Sequence, residues 1–131
     1  MYYINGIKLP HSVYAGQDEE KVATALGFVA QYISLLSGYL GLALRYPIDE
    51  RCSRSSIFDP ITQLPGPKKF PLHKHGSEKW NFEYAVFLLN KDIEQLMNCM
   101  GVAVKNLRHT LPNLILLREA VSRRYQRFSL T

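Results

Sequence analysis

Between Lys21 and Arg45 the chain reads VATALGFVAQYISLLSGYLGLAL (Val22–Leu44), 23 residues without a formal charge. A bilayer crossing needs about 20 mostly apolar residues, so length alone admits a membrane span. Thr24, Gln31, Ser34 and Ser37 interrupt the stretch, however, and Tyr32 and Tyr39 lie inside it rather than at its ends. Periodicity says more. Val22, Leu26, Val29, Ile33, Leu36 and Leu40 recur at helical spacing, and Ala25, Phe28, Tyr32, Leu35, Tyr39 and Leu42 form a second stripe beside them. Ala23, Gly27, Ala30, Ser34, Gly38 and Gly41 make a third line, all small. A wide apolar arc with one smooth side predicts a central helix packed on several faces of a soluble core. The small-residue line would also suit close helix packing in a membrane. The interior polar residues favour the buried soluble helix.

Outward from this helix, Asp18 is the expected N-cap, with Glu19 and Glu20 in the electropositive first turn. Upstream, Tyr2–Leu9 reads as one strand ended by Pro10. Downstream, Gly38 and Gly41 loosen the far end of the helix. Leu44, Tyr46 and Ile48 then alternate with Arg45, Pro47 and Asp49 as in a half-buried strand, which Pro47 confines to an edge or bulge. Ser55–Phe58 is its expected hairpin partner. Asp59–Pro71 holds Pro60, Pro65, Pro67, Pro71 and Gly66 and predicts a loop, and Lys68–His73 a further strand. A second helix carries Phe82, Val86, Leu89, Ile93, Leu96 and Met100, capped by Ser77 or Asn81 and stopped at Gly101. A third starts near Thr110–Pro112, lined by Leu114, Leu117, Val121 and Tyr125. The order is strand, helix, strands, helix, helix: an α+β fold, expected as a single domain over residues 1–131.

Length and composition agree. A chain of 131 residues with 47% hydrophobic residues suits one core, whereas two domains would each need disulfides or metals. Two cysteines, Cys52 and Cys99, cannot build a disulfide framework and read as reduced thiols of an intracellular protein. Met1–Pro10 lacks a signal peptide's apolar run. No glycine-rich phosphate loop, HExxH, paired CxxC or GxSxG is present, so no catalytic residues and no cofactor are expected. His73-Lys74-His75 falls short of the ligand number a zinc site needs and reads as a solvated loop. Cys99 reads as core or partly buried. Asp92 and Glu94, two apart on a helix, cannot face each other and read as solvated charges.

The positive excess lies in Arg51, Arg54, Lys68, Lys69, Lys74 and Lys79, and again in Arg118, Arg123, Arg124 and Arg127, while residues 1–50 are net acidic. Anionic lipid attracts each nearby Lys or Arg by roughly 1 kcal/mol. Lys68, Lys69, Phe70, Lys74, Lys79, Trp80, Arg123, Arg124 and Arg127 are the candidate membrane-contacting residues. The plainer alternative pairs Arg51 and Arg54 with Asp49, Glu50 or Asp59. Nucleic acid is not the expected anion, since no RNP-like strand or recognition-helix motif accompanies the charge.

Five segments together resemble the C-terminal domain of the UVRAG family: ATALGFVAQYISLLSGYLGLALRYPI (Ala23–Ile48), SRSSIFD (Ser53–Asp59), FPLH (Phe70–His73), FEYAVFLLNKDIEQL (Phe82–Leu96) and RHTLPNL (Arg108–Leu114). The resemblance covers most of the chain. It implies the Beclin-type autophagy-related fold of repeated sheet–helix units. It also implies a scaffolding role beside a Beclin-type subunit in a class III phosphatidylinositol 3-kinase complex, in autophagy and endosomal sorting. The implied location is cytoplasmic, peripheral on endosomal or autophagic membranes. Tyr2, Tyr3, Phe128 and Leu130 are the candidate partner-binding residues. One departure is Cys52, where the family typically has Gly before SRS, so a backbone needing positive φ there would be strained. A Barkor-type autophagy subunit and a free-standing basic lipid- or nucleic-acid-binding module are the alternatives.

Overall fold

The first helix, α1 (Glu19–Leu40), buries Val22, Leu26, Val29, Ile33 and Leu36 of its first stripe, together with Ala25 and Ala30 of the lines on either side. Its second stripe runs out of the core: Phe28 and Tyr32 are half-buried, and Leu35 and Tyr39 are 66% and 69% exposed. The structure, a computed structural model, describes residues 3–4, 7–8, 19–61, 69–73 and 79–129. Among these, α1 is the helix long and apolar enough to cross a bilayer, yet half of its apolar window is buried inside the protein. Asp18, the expected cap, lies outside the described residues.

The small-residue line has a specific use. A Cβ on Gly27 would fall within 2.6 Å of the carbonyl carbon of Cys52 and closer still to its oxygen. Residues Cys52–Arg54 form a 3₁₀ turn laid directly on α1. Cys52 itself adopts φ +51°, the left-handed region that a Cβ disfavours. The strain anticipated from the missing glycine is therefore present. Ser55 steadies the turn, its Oγ donating to the Cys52 carbonyl at 2.8 Å and accepting the Arg51 N–H at 2.9 Å.

The expected N-terminal strand is instead two short ones, β1 (Tyr3–Ile4) and β2 (Ile7–Lys8), paired antiparallel with Tyr3 opposite Lys8 and Ile4 opposite Ile7. Asn5-Gly6 is the dipeptide favoured between two such strands, and this turn chemistry overrides the loose alternation of Tyr2–Leu9. The main sheet orders β3 (Ile48–Asp49), β4 (Ser56–Phe58) and β5 (Lys69–Pro71), all antiparallel, with Ile48 opposite Ile57 and Ile57 opposite Phe70. The predicted hairpin and third strand are thus both present. The strand expected from Leu44 begins only at Ile48, although burial does alternate from Leu42 onward.

Helix α2 (Lys79–Cys99) buries Phe82, Ala85, Val86, Leu89, Ile93, Leu96 and Met97 against α1 and the sheet. Asn81 lies inside its first turn and so does not cap it; Ser77 is outside the described residues. Gly101 ends α2 at φ +77°, with the Val102 N–H on the Met97 carbonyl, and Gly41 closes α1 the same way at φ +69° through Leu42 and Ser37. Gly41 thus terminates the helix rather than loosening it. Helix α3 (Thr110–Ser129) packs on α2 and buries Leu111, Leu114, Leu117 and Ala120. The buried Thr110 hydroxyl donates to Asn90 Oδ1 at 2.7 Å, tying the start of α3 to α2. Among the described residues, three helices, a three-stranded antiparallel sheet and the β1–β2 pair make the α+β fold.

Candidate functional site

Charge and aromatic rings lie on either side of β5, with Lys69 and Phe58 paired on its solvent face and the aromatic row of α2 against Phe70 on the other. Asp49 on β3 accepts Lys69 Nζ at 2.7 Å and Arg51 Nε at 3.1 Å. These two cations, Lys69 first, hold its carboxyl below the usual range. The Arg51 pairing is the plainer alternative foreseen for that residue. Lys69 remains half-exposed and lies over the Phe58 ring, 5.5 Å from its centroid.

On α2, Trp80, Tyr84 and Phe87 follow one another at helical spacing and stack in series, with centroids 5.8 Å and 6.1 Å apart. Trp80 is 60% exposed, and Phe87, Phe58 and Ile61 are also open to solvent. The Tyr84 hydroxyl donates to buried Asp59, whose other carboxylate oxygen accepts the Ile61 N–H. The base of the proline loop is thereby fastened to the aromatic row.

Among the described residues, the candidate membrane residues do not form one patch. Lys69 and Trp80 are exposed, but Phe70 between them in the chain is 9% exposed, packed edge-on to Tyr84 at 4.8 Å within the core. Strand alternation explains the correction, since the neighbours of an exposed Lys69 must face the opposite side. Lys68 and Lys74 lie outside the described residues, as do the side chains of Lys79 and Arg127. Arg123 and Arg124 are exposed on α3, and Arg124 Nη1 reaches Met100 Sδ at 3.9 Å, just past the far end of α2. Trp80 and Met100 are separated by about 30 Å of helix. Of the candidate partner residues, Tyr2 and Leu130 lie outside the described residues. For Tyr3, on β1, and Phe128, within α3, only the backbone is described.

Two residues change character. Cys99 is exposed at the end of α2, rather than core. Asp92 is 0% exposed, on the face of α2 that receives the segment leading to β3. Its Oδ1 accepts the Tyr46 N–H at 3.1 Å, and Oδ2 has no hydrogen-bond partner. Burial pushes this carboxyl up to about 7, against the smaller opposing effects of the Tyr46 N–H and the Arg45 charge. Glu94, by contrast, is paired with Lys91 Nζ at 2.6 Å. The hidden signal was the helical phase of Asp92, three residues past Leu89 and four before Leu96, both buried. Among the described residues no group of three His, Cys, Asp or Glu could hold a metal.

An apolar groove of about 380 Å³ also opens between α1 and α3, lined by Phe28, Tyr32, Leu35, Leu114, Ile115 and Arg118. Burial raises the Tyr32 phenol there, and Arg118 acts against that rise.

No family model matches the chain. Among curated proteins it is 44% identical over 116 residues to UV radiation resistance-associated protein of Mus musculus, which covers 86% of this chain and 17% of that protein. It is 34% identical over 93 residues to vacuolar protein sorting-associated protein 38 of Schizosaccharomyces pombe, covering 71% of this chain and 20% of that one. The chain thus spans a fifth or less of the length of these relatives.

Proposed function

The chain belongs to the UVRAG family, and from that premise we propose that it is a non-catalytic regulatory and scaffolding domain of a class III phosphatidylinositol 3-kinase complex. In this reading it packs beside a Beclin-type subunit and touches an anionic membrane, at endosomal or autophagic surfaces of the cytoplasm. The observation that carries the proposal is the family relationship across 86% of the chain. Full-length relatives bring other segments, and a domain held next to its partner by such segments needs only modest affinity of its own.

The membrane contact is assigned to the Trp80 end of α2. Exposed Trp80 and Phe87 on one helix, with Lys79 next to Trp80 in the chain, suit the boundary between headgroups and acyl chains, where amphipathic rings settle and cations meet anionic lipid. The Arg123–Arg124 end of α3 offers charge with less aromatic surface.

Flotation of the 131-residue chain with phosphatidylcholine vesicles, with and without phosphatidylserine, tests this. Binding to the anionic vesicles should fall severalfold in Trp80→Ala and on reversing Lys68, Lys69 and Lys74. Unchanged binding in both removes the membrane contact. Retardation of nucleic acid in a gel shift at moderate salt would favour the basic-module alternative. For the partner, co-purification with the terminal domain of Beclin, both tethered through one coiled coil, should give a stable pair; failure there removes the scaffolding role.

A further inference from the structure

Residues 42–47, which lead from α1 to β3, are fastened to α2 chiefly by side chains. The Arg45 N–H donates to Gln95 Oε1 at 2.9 Å, Gln95 Nε2 returns a bond to the Ala43 carbonyl at 2.9 Å, and the Tyr46 N–H donates to Asp92 Oδ1 at 3.1 Å. Gln95 lies at the exposed rim of this seam and Asp92 at its buried centre. One oxygen of Asp92 is fully enclosed and unpartnered.

We propose that Asp92 is a proton-operated clasp: uncharged, it fastens residues 42–47 to α2, and charged, it lets them lift so that water reaches the carboxylate. A protonated carboxyl still accepts the Tyr46 N–H through its carbonyl oxygen and carries no charge to hydrate. An ionised one leaves a charge out of water with half its hydrogen-bonding capacity unmet, a costly state that local opening relieves. The charged group acting on Asp92 is Arg45 on the connector, itself exposed and so a weak counterion. The charges on neighbouring elements are occupied or distant. Lys91 and Glu94 flank Asp92 on α2 and pair with each other, and Lys69 of β5 pairs with Asp49. Arg124 of α3 reaches Met100, Arg118 faces the groove on Tyr32, Glu119 and Arg123 are exposed, and α1 bears its charges at Glu19, Glu20 and Lys21 in its first turns. The carboxyl's raised proton affinity, about 7, sets the clasp to operate near neutrality. Because the connector runs straight into β3, its release would also loosen Asp49 and the cations gathered there.

Amide hydrogen exchange of the full 131-residue chain, corrected for the intrinsic pH dependence, tests the clasp, together with a carbon-13 titration of the Asp92 carboxyl. Protection of the Tyr46 amide should fall about tenfold per pH unit above pH 7, while the Val29 amide in the core of α1 stays level. In Asp92→Asn the Tyr46 amide should lose this dependence. A wild-type carboxyl that titrates below pH 5 overturns the proposal without recourse to any variant. So does Tyr46 protection that is flat with pH, or that falls in step with Val29, which would mean global destabilisation instead of local opening.

Discussion

The segment between α1 and β4 is held to the helices at two places, by opposite means. At Gly27 the backbone of Cys52 rests on α1 because a side chain is missing. At Asp92 the connector rests on α2 because polar side chains are present to meet its N–H groups. The first contact depends on volume and is indifferent to pH; the second tolerates an isosteric amide but responds to protons. A close approach of backbones fails when any atom is added, whereas a buried carboxylate fails when a charge is.

The largest effect should come at the first contact. Gly27→Ala forces backbone apart from backbone and should cost about 3 kcal/mol, read from the urea midpoint. A change smaller than about 0.5 kcal/mol would mean that α1 and the turn slide past each other freely, as surface substitutions away from packed sites do.

Next comes the pH response of the second contact. The folded carboxyl of Asp92 binds its proton up to about 7, well above its unfolded value. The folded state therefore holds more protons between the two values, and stability should decline as pH rises through that window. A loss of about 2 kcal/mol between pH 5 and pH 7 is expected, flattened in Asp92→Asn. Asp49 works in the opposite sense, since its folded value is lowered. Its contribution disappears only in acid, below the window that Asp92 governs. Denaturant midpoints across this range would distinguish the two, and a wild-type profile that rises from pH 5 to pH 7 would contradict the assignment.

Cys52→Gly sharpens the comparison from the other side. It relieves the left-handed strain while adding freedom to the unfolded chain, for a net gain of about 0.5 kcal/mol in the same assay. Smallest of all, Lys69→Ala should leave the urea midpoint almost unchanged, because its pair with Asp49 is solvent-exposed. It should nonetheless weaken vesicle binding, and a large loss of stability would show the pair to be structural.

Much of the architecture was legible in advance. The stripe from Val22 to Leu36, the apolar positions of α2, the Ile48–Ile57 hairpin and the stop at Gly101 all follow from residue spacing and turn chemistry. The candidate site was less so. Trp80 and Lys69 are exposed as expected, but the exposure of Phe87, Phe58 and Ile61 was not signalled, since residue spacing does not say which apolar side chains another segment will leave uncovered. Phe70 went inward because its strand had one face to give the core.

What the sequence determined by itself was local: three helices with their apolar faces, the small-residue line along α1, and the turn signals between strands, all set by short-range sterics and side-chain period. Only the tertiary structure decided which member of that line is indispensable. Gly27 meets the Cys52 backbone and Gly38 meets nothing within 4 Å. It decided likewise that Asp92 is enclosed while nearby Glu94 keeps a partner at the surface. The reason is physical: a residue's solvation depends on what a distant stretch of chain lays over it, and that stretch is placed by the whole core.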